Sequence, residues 1–412
     1  MRMIFMIVST IGLLLLFARK RKFDIFSVAY VSACIYFIPG YFGFVRYPLI
    51  QRQIPIHNLT YIVMILVLIS LMVFSYLYDK SSNKSVINLV IKDSNFTSGI
   101  VFILAIIGFI MMIATSGAVI FSPDRAEMAG SLNRWYTLMR VSASVCAVIS
   151  YNEGSRKKTL LSMIILLFDV YLGSRTTFAI TVVAIILSHY STKEKMRFLH
   201  NNIKKILLIS TFGVFMFAYK HIYIYVKMFD WNRIYKEITS LDFYYRAFTF
   251  SEPFNTQAIL NKVITEDYFI GLSQFKSIIY QAVLFAPSFG AEIRSFNSFF
   301  QNDLFGNVSW GMADNIWAQM YSGGRWGLLI IFIVMFNIYI LVLSKLIRFK
   351  DPTIKGLASL LSLYWVFYIH RNDLSYQINL QKRVILIYLV ALLISIIING
   401  TIVKKRRLKQ ES

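Results

Sequence analysis

The stretch from Thr97 to Ser116 reads TSGIVFILAIIGFIMMIATS and carries no charged residue in 20 positions. About 20 apolar residues in a helix are enough to cross the hydrocarbon core of a bilayer. The whole chain has the same character, because 57% of its 412 residues are hydrophobic and only 15% are charged. Soluble domains are about 45–50% apolar and about 25% charged. The composition therefore excludes a soluble enzyme.

Eleven apolar runs of this kind divide the chain, and they predict an all-α polytopic membrane protein with about 11 transmembrane helices. The predicted spans are Met3–Phe17, Ile25–Val45, Leu59–Leu77, Thr97–Ser116, Trp135–Tyr151, Thr159–Leu172, Thr176–Tyr190, Ile206–Ile222, Trp326–Ser344, Gly356–Ile369 and Val384–Gly400. The sequence thus predicts three regions: an N-terminal bundle of about eight spans in residues 1–222, one large loop in residues 223–325, and about three spans with a basic tail in residues 326–412.

The net charge of +23 comes from 43 Lys and Arg against 20 Asp and Glu. Nucleic-acid binding would explain such a charge in a soluble protein, but cytoplasmic loops of membrane proteins also collect Lys and Arg. If the N-terminus lies outside, the cytoplasmic segments carry 24 basic residues and the short outer segments carry 9. This bias predicts a multi-pass membrane protein with the loop outside the cytoplasm, a cytoplasmic C-terminus and no nucleic-acid partner.

Residues 223–250 open the loop with ten aromatic side chains among charged ones. Two interpretations remain open for this stretch. It forms amphipathic helices that lie at the level of the lipid headgroups, or it forms a lid over a lipid-linked sugar.

The motifs of metal and nucleotide chemistry are missing. The five histidines are scattered, there is no H-E-x-x-H or P-loop, and no D-x-D occurs. Both cysteines, Cys34 and Cys146, lie in apolar runs and are interpreted as small core residues. We therefore expect neither a metal nor a cofactor.

Three groups of polar residues lie at predicted outer ends of helices. Arg175 follows Gly173 and Ser174 between two short spans, where it either reaches lipid headgroups or binds an anionic headgroup through its planar fork. Asp169 precedes it inside a span, and it pairs with a basic residue of another helix or faces a wet cavity.

The second group is Asp314, Trp317 and Tyr321, whose spacing of i, i+3 and i+7 predicts one shared helix face. Asp314 is either a helix cap beside membrane-belt aromatics or a general base beside a surface for stacking sugars. The third group is the run from His370 to Asp373, with Lys382 and Arg383 after it; these residues either anchor the helix ends or line the same cavity.

This arrangement resembles the Wzy-type oligosaccharide repeat-unit polymerases of bacterial surface polysaccharides and, more distantly, the O-antigen ligases. The resemblance covers about residues 97–383 and rests on the topology together with three short motifs. These are Gly173-Ser174-Arg175, the pattern Asp314-Asn315-x-Trp317-x-Gln319-x4-Gly324-x2-Gly327, and Arg371-x-Asp373. The ligases often have His-Asn where this chain has Asp314-Asn315, and this departure favours a polymerase.

The resemblance implies a GT-C-like bundle and a metal-independent glycosyltransferase that spans the bacterial inner membrane, with its large loop in the periplasm. The substrate would be an undecaprenyl-diphosphate-linked oligosaccharide, and the growing chain would move from its lipid carrier to a sugar hydroxyl of a new lipid-linked unit. Membrane lipids, a flippase and a chain-length regulator of the same membrane would be its partners. The alternatives are a flippase or other transporter of the same lipids, and an O-antigen ligase.

The chemistry that the resemblance implies needs a base for the attacking hydroxyl and cations for the diphosphate. The candidate bases, in order of preference, are Asp314, Glu252 and Asp242. The candidate ligands of the diphosphate are Arg175, Arg246, Arg325 and Arg371. The candidate contacts to sugar or lipid are Trp317, Tyr321, Asn315 and His370.

Overall fold

The structure is a computed structural model that describes residues 1–18, 23–47, 52–81, 96–122, 125–191, 219, 222–276, 278, 294–306 and 312–411. The described residues are almost entirely helical, which confirms the predicted all-α class. The predicted span Ile206–Ile222 lies almost wholly outside them. The main helices are α1 (Arg2–Ala18), α2 (Ile25–Tyr36), α3 (Ile38–Phe42), α4 (Asn58–Ser81), α5 (Thr97–Ser116), α6 (Arg125–Ser131), α7 (Arg134–Asn152), α8 (Arg156–Tyr171), α9 (Thr176–Tyr190), α10 (Trp231–Ile238), α11 (Leu241–Thr249), α12 (Glu252–Thr265), α13 (Asn297–Phe305), α14 (Ile316–Leu346), α15 (Pro352–Tyr368) and α16 (Leu374–Glu411).

Within the described part of the chain, four helical segments are long and apolar enough to cross a membrane: Asn58–Lys80, Thr97–Phe121, Ile316–Leu346 and Leu374–Thr401. Three shorter apolar helices accompany them: Arg2–Phe17, Ile25–Tyr36 and Thr176–Tyr190. Length and composition thus agree with a membrane protein.

The predicted second span, Ile25–Val45, is not one helix. It is divided into α2, the short α3 and strand β1 (Phe44–Arg46), which pairs antiparallel with β2 (Gln53–Pro55). Pro39 lies in the first turn of α3, and a proline has no N–H with which to continue the preceding helix. Gly43 then ends α3 in the left-handed region with φ 82°.

The predicted span Trp326–Ser344 begins earlier than expected, because α14 starts at Ile316. Its backbone departs from helical geometry at Gly324 and Arg325, and Arg325 has a φ of 54°. The expected boundary between the loop and the C-terminal helices therefore falls at a kink inside one helix.

The helix α7 lies at the centre of the bundle and packs against α5, α8, α9 and α15. Its contact with α5 is close, because a Cβ atom at Gly108 would lie 2.5 Å from the backbone nitrogen of Met139. From the predicted loop, α12 packs against α2, α4, α14 and β1. Part of the loop region thus belongs to the bundle.

The starts and ends of the helices are gathered at two opposite ends of the bundle. At one end, Asp24, Tyr78, Ser191 and Ser344 line a common cleft of about 230 Å³. These residues lie at the start of α2 and at the ends of α4, α9 and α14. At the other end, the start of α14 contacts the end of α15, where the Asp314 N–H donates to the Arg371 carbonyl at 3.1 Å.

Candidate anion-binding site

The short connection between α15 and α16 carries Arg371, and the bundle brings Glu252 to it across 119 positions of sequence. The Arg371 Nη1 atom donates to the Glu252 Oε2 atom at 2.5 Å. About a quarter of each side chain is exposed, with values of 24% for Arg371 and 28% for Glu252. The Nε atom of Arg371 is buried without a hydrogen-bond partner among the described residues. The structure thus joins one predicted anion ligand to one predicted base.

Two parallel tyrosine rings stand beside Arg371. The rings of Tyr368 and Tyr376 are 6.2 Å apart between centroids and tilted by only 11°. The Arg371 guanidinium lies 5.4 Å from the centre of the Tyr368 ring and within electrostatic range of Tyr376 and Tyr36. The Tyr376 ring is 41% exposed, so a ligand can reach it, whereas the Tyr368 ring behind it is buried.

A second arginine, Arg140, approaches the same rings from α7. It lies within electrostatic range of Tyr368 and Tyr376, and its Nη1 atom donates to the Ser174 Oγ atom at 3.4 Å. A third arginine, Arg383 of α16, lies within electrostatic range of Tyr376 and of Arg140. Arg140, Arg371 and Arg383, with the two tyrosine rings, are called the arginine cluster below.

Arg140 is not among the residues predicted from the sequence, because it lies inside the predicted span Trp135–Tyr151. The signal was available in the sequence. An arginine within an apolar membrane helix is costly and rare, and it marks a functional site by default.

The carboxylate of Asp169 lies beneath the cluster and is fully buried. Its Oδ1 atom accepts a hydrogen bond from the Tyr136 hydroxyl at 2.6 Å, and Arg140 lies within electrostatic range. Of the two alternatives for Asp169, the structure thus favours a basic partner on another helix.

The loop that carries Arg175 has the expected break. Gly173 has a φ of 90°, which ends α8, and Ser174 contacts Arg140. Arg175 itself precedes α9 and lies within electrostatic range of Tyr219.

Asp314 does not begin a helix, so it shares no helix face with Trp317 and Tyr321. The cap of α14 is Asn315, whose side-chain Oδ1 accepts from the Ala318 N–H at 3.0 Å. The Asn315 Nδ2 atom donates to the Thr256 carbonyl at 2.8 Å. Both roles considered for Asp314 assumed that it starts the helix, and the structure corrects that assumption.

The Asp314 side chain is partly buried, and its Oδ1 atom is buried without a hydrogen-bond partner in the described structure. Burial raises the pKa of Asp314 well above its usual value, and the nearby Asp373 carboxyl raises it further. Burial also raises the pKa of Asp373, which accepts from the N–H groups of Tyr376 at 2.6 Å and Phe296 at 2.9 Å. The Asp373 carboxylate thus joins Phe296, just before α13, to the first turn of α16.

Three of the expected sugar contacts are enclosed in the core. Trp317, Asn315 and His370 are at most 1% exposed, and the Trp317 Nε1 atom donates to the His370 Nδ1 atom at 3.1 Å. Burial lowers the pKa of His370 to about 3, so this ring is neutral. Because no sugar can reach these groups in this conformation, we assign them to the support beneath the site. Tyr321 is 5% exposed and packs against Trp326.

The predicted residues Arg246, Asp242 and Arg325 form ion pairs that do not include Arg371. Arg246 binds Asp242 at 2.8 Å on α11, and these side chains are 53% and 69% exposed. Arg325 binds Asp267 at 2.6 Å and lies over the ring of Phe269. The cation of each pair thus already has a carboxylate partner.

Among the residues that the structure describes, no group of three or more His, Cys, Asp or Glu side chains could hold a metal ion. No protein-family model, curated protein or solved structure matches the chain.

The raised pKa of Asp314 predicts a pH dependence of folding. The folded state keeps a proton that the unfolded chain releases above about pH 4, so stability falls as pH rises from there toward the folded-state pKa. We expect Asp314→Asn to remove part of this decline. The difference in unfolding free energy between the variant and the parent should then increase with pH, by roughly 1.4 kcal/mol for each pH unit between the unfolded and the folded pKa of Asp314. Thermal unfolding in detergent between pH 4.5 and 8 measures the gain. Asp242→Asn, at an exposed carboxylate, is the control, and an equal slope in parent and Asp314→Asn contradicts the assignment.

Proposed function

We propose that this protein polymerises undecaprenyl-diphosphate-linked oligosaccharide repeat units into a surface polysaccharide, O-antigen or capsule, at the periplasmic face of a bacterial inner membrane. The observation that carries the proposal is the arginine cluster. At one end of the helical bundle, Arg371 and Arg140 lie close to Tyr368 and Tyr376, and Arg383 lies close to Tyr376 and to Arg140.

The charge of the cluster favours an anion with several oxygens. Like charges that approach one another in partly buried surroundings are costly unless an anion neutralises them. The carboxylates of Glu252 and Asp169 offset part of this charge. The planar fork of arginine matches phosphate oxygens, so a diphosphate is the ligand that three arginines fit.

The position of the cluster favours a lipid-linked anion over a soluble one. Arg383 lies in the segment Leu374–Thr401, which is long and apolar enough to cross a membrane, and Arg140 lies in α7 at the centre of the bundle. A diphosphate on a polyprenyl chain would enter such a site from the bilayer with its lipid still in hydrocarbon. The aromatic rings of Tyr368 and Tyr376 then lie where the first sugars would follow.

The residues present suit glycosyl transfer. The acceptor hydroxyl attacks the anomeric carbon of the donor, and the bond from that carbon to the diphosphate breaks. The arginines stabilise the charge that develops on the departing undecaprenyl diphosphate. Of the three candidate bases, Glu252 lies beside the cluster, whereas Asp314 has a buried Oδ1 atom without a hydrogen-bond partner among the described residues and Asp242 is paired on α11.

We propose the eleven-span topology with the N-terminus outside. The meeting of alternate helix ends in the cleft around Asp24 and Ser344 supports the alternation, and the basic bias supports the direction. Reporter fusions after Thr256 and Arg407 are expected to give opposite signals, periplasmic and cytoplasmic respectively. Equal signals would contradict the topology.

Deletion of the gene, followed by a gel of surface polysaccharide, tests the activity. A polymerase leaves one repeat unit on each lipid anchor, a ligase leaves none on the anchor while chains accumulate on undecaprenyl diphosphate, and a flippase leaves no repeat unit outside. Purified protein in vesicles, supplied with the lipid-linked repeat on the outer face alone, gives the complementary result. Chain growth supports the proposal, and its absence contradicts it.

A further inference from the structure

We infer that Glu252 is a latch on Arg371 in the empty site, and that it becomes the general base when the donor's diphosphate displaces it. The inference rests on the proposed function and adds a coupling between donor binding and activation of the acceptor. It starts from one observation: the Glu252 carboxylate is paired with the Arg371 guanidinium, to which the diphosphate would bind.

Glu252 is held in place from two sides. It is the first residue of α12, where the partial positive charge of a helix N-terminus favours a carboxylate. Pro253 follows it and fixes the backbone of this turn. On the other side, the Arg371 Nη1 atom donates a charge-assisted hydrogen bond to the Glu252 Oε2 atom at 2.5 Å. The carboxylate thus lies where one phosphate oxygen would bind.

The arrangement leaves Arg371 able to exchange its partner. Its Nε donor is buried and unused, so a second oxygen beside the Glu252 position would satisfy it. Of the three arginines, only Arg371 pairs with the Glu252 carboxylate. A diphosphate is larger, so it can contact Arg371 and also reach Arg140 or Arg383. Donor binding therefore favours the exchange.

Glu252 can leave without unfolding its surroundings, because its side chain is 28% exposed. Asp169 has no such freedom, since it is fully buried and bonded to Tyr136. Once displaced, Glu252 stays attached to the start of α12, within a side-chain length of the cluster. It then accepts the proton of the acceptor hydroxyl as that oxygen bonds to the anomeric carbon, and the bonding electrons of the broken C–O bond leave with the undecaprenyl diphosphate. Glu252 later returns the proton to water and re-forms its pair with Arg371.

This latch predicts opposite effects of one substitution on binding and on turnover. In Glu252→Gln, the competing charge is gone, so undecaprenyl diphosphate should bind roughly fivefold more tightly, as expected for loss of a partly exposed ion pair. The rate of chain growth should fall roughly 100- to 10,000-fold, because the base is gone. Glu252→Asp keeps a shorter carboxylate, and it should bind more tightly while it retains part of the turnover.

Binding of undecaprenyl diphosphate to purified protein in detergent and polymerisation of the lipid-linked repeat measure the two effects. Glu266→Gln is the matched control, because Glu266 forms a similar pair with Lys262 at 2.6 Å at the far end of α12. Weaker or unchanged binding in Glu252→Gln, or undiminished turnover, overturns the latch even where the parent protein polymerises. If the parent protein neither binds the lipid nor polymerises the repeat, the proposed function itself fails.

Discussion

Arg371→Ala is expected to reduce polymerisation by roughly 10- to 150-fold. A hydrogen bond to a charged group contributes roughly 1.5–3 kcal/mol, and each 1.36 kcal/mol of lost transition-state stabilisation is tenfold in rate. Arg371→Lys should recover only part of this loss, because an ammonium group keeps the charge but loses the planar fork. The rate of chain growth on a lipid-linked repeat, normalised to the amount of folded protein, is the measurement.

Arg246→Ala is the control for Arg371→Ala. Arg246 was also a candidate for binding the diphosphate, but it is 53% exposed and already paired with Asp242 and Glu237. An exposed ion pair of this kind contributes about 0–1 kcal/mol, so the rate should change by no more than about fivefold. If Arg246→Ala costs as much as Arg371→Ala, the diphosphate does not bind at the arginine cluster.

Arg140→Ala is expected to lower both stability and activity, and a double variant separates the two. The single change leaves the buried Asp169 without the positive charge of Arg140, and the cost of leaving a buried charged group unsatisfied is at least about 1–3 kcal/mol. Adding Asp169→Asn removes the uncompensated charge, so thermal stability in detergent should return toward that of the parent. Polymerisation should stay low, because the diphosphate still lacks one of its arginines.

A purely structural Arg140 would behave differently. Its double variant with Asp169→Asn would recover chain growth together with stability. That outcome would remove Arg140 from the arginine cluster and leave it as the partner of Asp169. Arg134→Ala is a matched control, because Arg134 begins the same helix and is exposed, and it should alter neither quantity.

The membrane-like class of this protein and most of its helices follow from the sequence alone, because long apolar runs have few alternatives to a helix in lipid. The described helices α4, α5, α7 and α9 match their predicted spans closely. The length of an apolar run overestimates the length of the helix where the run contains proline or glycine. Pro39 and Gly43 divide the predicted second span, since these residues break a helix whatever the hydropathy around them.

The site depended on contacts between distant parts of the chain. Arg371 and Glu252 were both selected from the sequence, but their pairing joins two segments 119 positions apart, and no local pattern encodes that contact. Asp314 was preferred over Glu252 because its spacing to Trp317 suggested an exposed helix face. The fold instead caps the helix at Asn315, buries Trp317 and Tyr321, and leaves Asp314 before the helix with its Oδ1 atom buried.

Residue types thus determined which side chains can carry charge at the ends of the helices, since side-chain chemistry is local. Only the tertiary structure decided which of those charges meet. It neutralised Arg246 and Arg325 with nearby carboxylates, and it brought Arg140 to the tyrosine rings beside Arg371. The physical reason is that charge balance within a packed bundle depends on which helices touch, and that is a property of the whole packing.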